Sequence, residues 1–106
     1  MENQFKIIPG EGLTLYIGSD RYPYTIISYE KNILEIQQDK AIKNNNQYEI
    51  SPNINGSIKY LKRYPKHHNF NNWFVVELNE ETCRYNKRNK TLVKFGEREY
   101  FIDPSF

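Results

Sequence analysis

Tyr24-Thr25-Ile26-Ile27-Ser28-Tyr29, then Glu30-Lys31-Asn32, then Ile33-Leu34-Glu35-Ile36-Gln37-Gln38 is the stretch on which the fold turns. Two runs rich in Ile, Tyr and Thr flank a short polar break. Residues of those types suit a pleated, half-buried surface. Lys31-Asn32 predicts a tight turn, so residues 24–29 and 33–38 read as the two strands of an antiparallel hairpin.

The same grammar extends in both directions. Upstream, residues 13–17 read as a strand entered through Pro9-Gly10-Glu11-Gly12, and residues 18–23 as a loop. Downstream, the polar residues 39–46 read as a loop, with room for one helical turn over 39–42. Residues 47–51 form a further strand, closed by a turn in which Asn55-Gly56 tolerates φ > 0. Residues 57–64 alternate, which predicts Ile58, Tyr60 and Tyr64 on the buried face and Lys59 and Arg63 on the wet one. Residues 65–72 read as a polar loop, 73–78 as a central strand carrying Trp73, Phe74 and Val76, and 79–90 as a long charged loop. Residues 91–95 and 100–102 finish the sheet around a Gly96 turn, and Phe106 is expected to close one end of the core. Turn signals at this spacing predict an all-β fold. The expectation is one domain over residues 1–106: a small, strongly bent antiparallel barrel or sandwich of six to eight short strands, SH3-like in size and turn pattern.

Composition narrows the function classes. Nine Tyr, six Phe and one Trp can fill a small core despite a mean hydropathy of −0.85. No run approaches the roughly 20 apolar residues of a membrane helix. Residues 1–6 carry no basic segment followed by an apolar one, so no signal peptide is predicted. Cys83 is the only cysteine, which excludes an internal disulfide and favours a cytoplasmic setting. Residues 1–53 hold five Lys/Arg against seven Asp/Glu, whereas residues 54–106 hold ten against six. That asymmetry suits a local anion-binding face better than a general nucleic-acid coat.

Few residues are arranged for catalysis. His67-His68 lacks the further ligands a metal needs at suitable spacing. Ser19 has no nucleophile elbow around it. Cys83 beside Arg84 reads as a bystander thiol, and most of the acids Glu80, Glu81, Glu97 and Glu99 as solvated charges. The informative pattern is basic residues interleaved with aromatics: Lys59, Tyr60, Lys62, Arg63, Tyr64 and Lys66, then Arg84, Tyr85, Lys87, Arg88 and Lys90. Aromatic rings stack on bases while Lys and Arg neutralise phosphates.

The runs Gly18-Ser19-Asp20-Arg21-Tyr22-Pro23-Tyr24-Thr25-Ile26-Ile27 and Ile36-Gln37-Gln38-Asp39-Lys40-Ala41 resemble those of small proteins encoded by phages and prophages. So do Gly96-Glu97-Arg98-Glu99-Tyr100-Phe101 and the terminal Asp103-Pro104-Ser105-Phe106. The resemblance spans residues 12–106 and implies a small phage accessory protein acting against host defence, in the host cytoplasm. It also draws Asp20 and Arg21 into the candidate site, beside the simpler reading of Asp20 as a turn cap.

Together these readings predict a non-enzymatic protein without cofactor or metal that sequesters a small anionic ligand, a nucleotide signal above all. Arg63, Arg84, Arg88 and Arg98 would hold phosphate, while Tyr22, Tyr64, Tyr85 or Trp73 would stack a base. A barrel this small has little interior, so the pocket is expected between subunits of a homo-oligomer. Two other readings compete. One is an interaction module that blocks a host defence complex; the other is a nucleic-acid-binding domain using the basic second half.

Overall fold

The computed structural model describes residues 7–63, 73–79, 81–82 and 84–102, with the backbone alone at 78–79 and 84–89. Its strands are β1 (Gly12–Ile17), β2 (Asp20–Glu30), β3 (Ile33–Gln38), β4 (Lys40–Asn44), β5 (Gln47–Ser51), β6 (Ile58–Arg63), β7 (Trp73–Asn79) and β8 (Arg84–Phe95). Six of them close an antiparallel barrel in the order β1-β2-β3-β6-β7-β8, and β4-β5 stands apart as a two-stranded hairpin. Closure by the β1–β8 ladder, Leu13 opposite Phe95 and Leu15 opposite Val93, leaves the barrel without an open edge. Among the described residues no helix is long and apolar enough to cross a membrane.

The hairpin read from residues 24–38 is present, and both turn residues take positive φ, 51° at Lys31 and 67° at Asn32. Two such residues give the turn whose twist matches the strands it joins. Asn45 and Asn46 repeat the device at 51° and 68° and fold residues 40–51 into β4-β5. The expected loop over 39–46 is therefore a strand and a turn. Nearly every β4 side chain is exposed, so no alternation of apolar and polar residues marks it.

Residues 20–23 also belong to a strand rather than a loop. Pro23 sits opposite Thr14, and its carbonyl accepts from the Asp39 N–H at 2.9 Å on the side away from β1. Its missing N–H faces that same side, so the β1–β2 ladder loses no bond. Residues 84–90, read as loop, extend β8 as the partner of β7. Residues 100–102 contribute one bridge, Phe101 to Arg21, instead of a strand. The turn at 54–55 forms, but neither Asn55 nor Gly56 has positive φ. Gly56 is required for another reason: a Cβ there would overlap the Gln38 carbonyl oxygen.

Leu13, Leu15, Tyr24, Ile26, Leu34, Ile36, Leu61, Trp73 and Val93 form the core. Trp73 is fully buried, with the Tyr29 and Phe95 rings 6.0 and 5.8 Å away. On β6 the alternation is real but its phase is opposite to the expected one. Leu61 is buried opposite Leu34, while Ile58 is 40% exposed and Tyr60 half-buried. Lys59 and Arg63, two residues either side of Leu61, thus share the inner face. The expected loop over 65–72 with His67-His68, together with Tyr64, Glu80, Cys83 and Phe106, lies outside the described residues.

Candidate functional site

Asp20, Arg21 and Tyr22 open β2. The Tyr22 hydroxyl donates to Asp20 Oδ2 at 3.3 Å, and its ring meets Tyr100 edge-on at 6.2 Å. Tyr100 in turn packs 4.7 Å from Tyr48 of the hairpin. Arg21 Nη1 donates to Glu99 Oε1 at 2.8 Å, and its guanidinium lies 5.5 Å from the Tyr16 ring and 5.7 Å from that of Phe101. Burial pushes the Glu99 carboxyl up, but hydrogen bonds with Lys94, Glu97 and Arg21 outweigh it and hold the group below its ordinary value. The charge of Arg21 is thus answered within the chain.

Arg98 is answered more fully. Its Nε donates to Asp39 Oδ2 at 2.9 Å, and its Nη2 reaches Gly10 O at 3.3 Å and Thr25 Oγ1 at 3.2 Å. Thr25 donates to the other Asp39 oxygen at 2.5 Å, so a carboxylate with no exposed surface is held from two sides. The guanidinium can lie there because Gly12 has no side chain; a Cβ would collide with Arg98. This arrangement ties β1, β2 and the C-terminal segment together.

The remaining expected residues are described only in part. Arg63 lies at the Trp73 end of β6, with its Nε shielded from solvent. Trp73 itself is buried and unavailable for stacking on a ligand. Arg84, Tyr85 and Arg88 are placed on β8 by their backbones, and their side chains, like Tyr64, fall outside the described residues. Beyond Val76 the β7–β8 ladder runs past the level of Tyr60 toward the Lys59 end, and Arg84 and Tyr85 lie on that extension.

At the Lys59 mouth of the barrel two lysines stand without an ion partner among the described residues. A cavity of about 360 Å³ there is lined by Tyr16, Gly18, Lys59, Val75, Lys90 and Thr91, together with Ile17. A second, of about 230 Å³, shares Ile17 and Lys59 and adds Tyr22, Tyr24, Gln38 and Ser57. Among the described residues no carboxylate lines either lobe. Lys59 is half-buried, and neither it nor Lys90 makes an ion pair among the described residues. Burial drives the Tyr24 hydroxyl up to about 12, reinforced by Tyr22, and burial followed by Asp20 raises Tyr22. Both therefore remain neutral O–H groups near pH 7.

A roomier hollow of about 460 Å³ lies on the outer face of β2-β3-β6, but Glu30 and Glu35 line it beside Lys31 and Lys62. Its charges offset one another, and Glu35 already accepts from Ser28 at 3.1 Å. Among the described residues no group of three His, Cys, Asp or Glu could hold a metal.

Of the residues expected at the site, Tyr22 lines the mouth. Lys59 and Lys90 belong to the basic runs legible in the sequence, but nothing there brings them together; Tyr16 and Gln38 carry no such signal. No family model, curated protein or solved structure matches this chain.

Proposed function

We propose that this protein is a non-enzymatic binder that captures a small anionic ligand in the mouth of its barrel. The observation that carries the reading is the half-buried Lys59, which has no ion partner among the described residues and shares with the exposed Lys90 a cavity that no described carboxylate lines. Buried charges are normally paired, because removing an ion from water is costly. A half-buried cation with no partner among the described residues is stabilised when an anion supplies one. The resemblance to phage-encoded proteins makes the biological form of this activity sequestration of a host nucleotide signal, without chemical conversion.

The test is thermal denaturation with inorganic phosphate and with linear and cyclic nucleotides. Ligand at one hundred times Kd should add about 2.7 kcal/mol. Lys59→Met, with binding at least tenfold weaker, should cut that stabilisation to about half or less. No stabilisation by any of these anions at millimolar concentration would overturn the reading.

A second reading has its own observation. Leu92, Tyr16, Arg21 and Phe101 stand in register across four neighbouring segments, with Leu92 56% and Phe101 44% exposed. Exposed aromatic, aliphatic and Arg side chains in one row suit a protein partner, such as a host defence complex. A stoichiometric host complex that survives high salt and is lost in Leu92→Asp would favour it.

A further inference from the structure

The two lobes of the mouth differ in chemistry. The larger holds Lys59 and Lys90; the smaller offers neutral hydrogen-bonding groups. Two lysine charges match the roughly −1.5 to −2 of a phosphate monoester near pH 7. Lysine binds phosphate as a point charge, with no need for the planar fork of arginine.

The smaller lobe is organised around Gln38. Tyr24 pairs with it across the β2–β3 ladder, so its side chain shares the inner face with the buried Tyr24 and Ile36. Its backbone N–H donates to Ser57 O at 2.9 Å, which fixes the main chain. The side-chain amide makes no hydrogen bond among the described residues. Gln37, one position earlier, shows the contrast: its amide donates to Ile54 O at 2.9 Å and Gly56 O at 3.1 Å, tying down the turn. The Tyr24 and Ser57 hydroxyls are likewise uncommitted within the described residues. A half-buried amide with donor and acceptor both unused suits a planar ligand edge that presents the complementary pair, as a nucleobase does.

We infer that the ligand is a nucleoside monophosphate unit, its phosphate between Lys59 and Lys90 and its base in the smaller lobe against Gln38. This rests on the proposal that the mouth binds anions, and it adds the assignment of the two lobes. Lys59, common to both, would stand where phosphate and nucleoside meet.

Isothermal titration of the full chain with a nucleoside monophosphate, its nucleoside, ribose 5-phosphate and inorganic phosphate tests it. The monophosphate should bind at least tenfold more tightly than the nucleoside or ribose 5-phosphate. Gln38→Met, which keeps side-chain length, should erase the advantage over ribose 5-phosphate and leave ribose 5-phosphate affinity unchanged. Lys90→Met should weaken every phosphate-bearing compound. Equal affinity for ribose 5-phosphate and the monophosphate, or full base preference in Gln38→Met, overturns the lobe assignment while anion capture stands. If no phosphate-bearing compound binds, anion capture falls and this inference with it.

Discussion

Lys59 stands directly across the β3–β6 ladder from Ile36, and Ile36 is fully buried. The Lys59 side chain therefore springs from the face that carries the core, at the mouth of the barrel. Lys59→Met keeps the apolar stem and removes the charge. Folding stability should stay level or rise by up to about 1 kcal/mol, because a half-buried ion no longer loses hydration. Phosphate and nucleotide binding should fall at least tenfold. Denaturation with and without ligand measures both. A strongly destabilised Lys59→Met would mean that the ammonium is anchored inside the chain.

The same residue shows where the sequence stops being legible. Alternation along β6 is visible, but its phase is not. Counting apolar side chains puts Ile58 and Tyr60 inside, whereas the structure buries Leu61, which fills the space opposite Leu34. That choice depends on a partner 27 positions away and reverses the roles of Lys59 and Arg63. The β2–β3 hairpin was readable because its decisive feature, Lys31-Asn32, is local. β4 was not, since an exposed hairpin strand has no buried face to imprint a period. Arg98 could be recognised as a cation, but its commitment to Asp39 spans 59 positions and leaves no local trace.

The Asp39–Arg98 pair should respond asymmetrically to mutation. Asp39 has no exposed side-chain surface, whereas Arg98 keeps 28%. Arg98→Ala leaves a buried carboxylate supported by Thr25 and should cost about 3 kcal/mol. Asp39→Asn leaves a guanidinium able to turn toward water and should cost about 1–2 kcal/mol. Urea titrations of the two variants give the comparison. Were Arg98 a phosphate ligand instead of a clamp, Arg98→Ala would hold its stability and lose only ligand affinity.

Gly56→Ala tests how the mouth is assembled. The added methyl would meet the Gln38 carbonyl, a backbone atom that cannot swing aside as a side chain can. The expected cost is about 1–3 kcal/mol, in the range of other overpacked sites. Since Gln38 and Ser57 both line the smaller lobe, nucleotide affinity should fall with stability. Gly18→Ala is the control: its Cβ would meet nothing within 4 Å, so its cost is the φ of +61° alone. A Gly56→Ala protein as stable as wild type would show that the 52–57 turn can shift freely against β3.

Alkaline pH provides a readout of Tyr24. Burial, with a smaller contribution from Tyr22, raises its hydroxyl to about 12 in the folded chain. The unfolded chain titrates it near 10. The folded state holds the proton more tightly, so its contribution to stability is complete below pH 10 and is lost as pH rises toward 12. The loss should be on the order of 2 kcal/mol across that window. Other tyrosines and the lysines titrate there too, so the informative quantity is the difference between wild type and Tyr24→Phe. Phe keeps the buried ring and has nothing to ionise. The stability of Tyr24→Phe relative to wild type should therefore rise steadily between pH 10 and 12, measured by denaturant midpoint at each pH. Parallel profiles would show that the hydroxyl reaches bulk water and that the smaller lobe is more open than its burial implies.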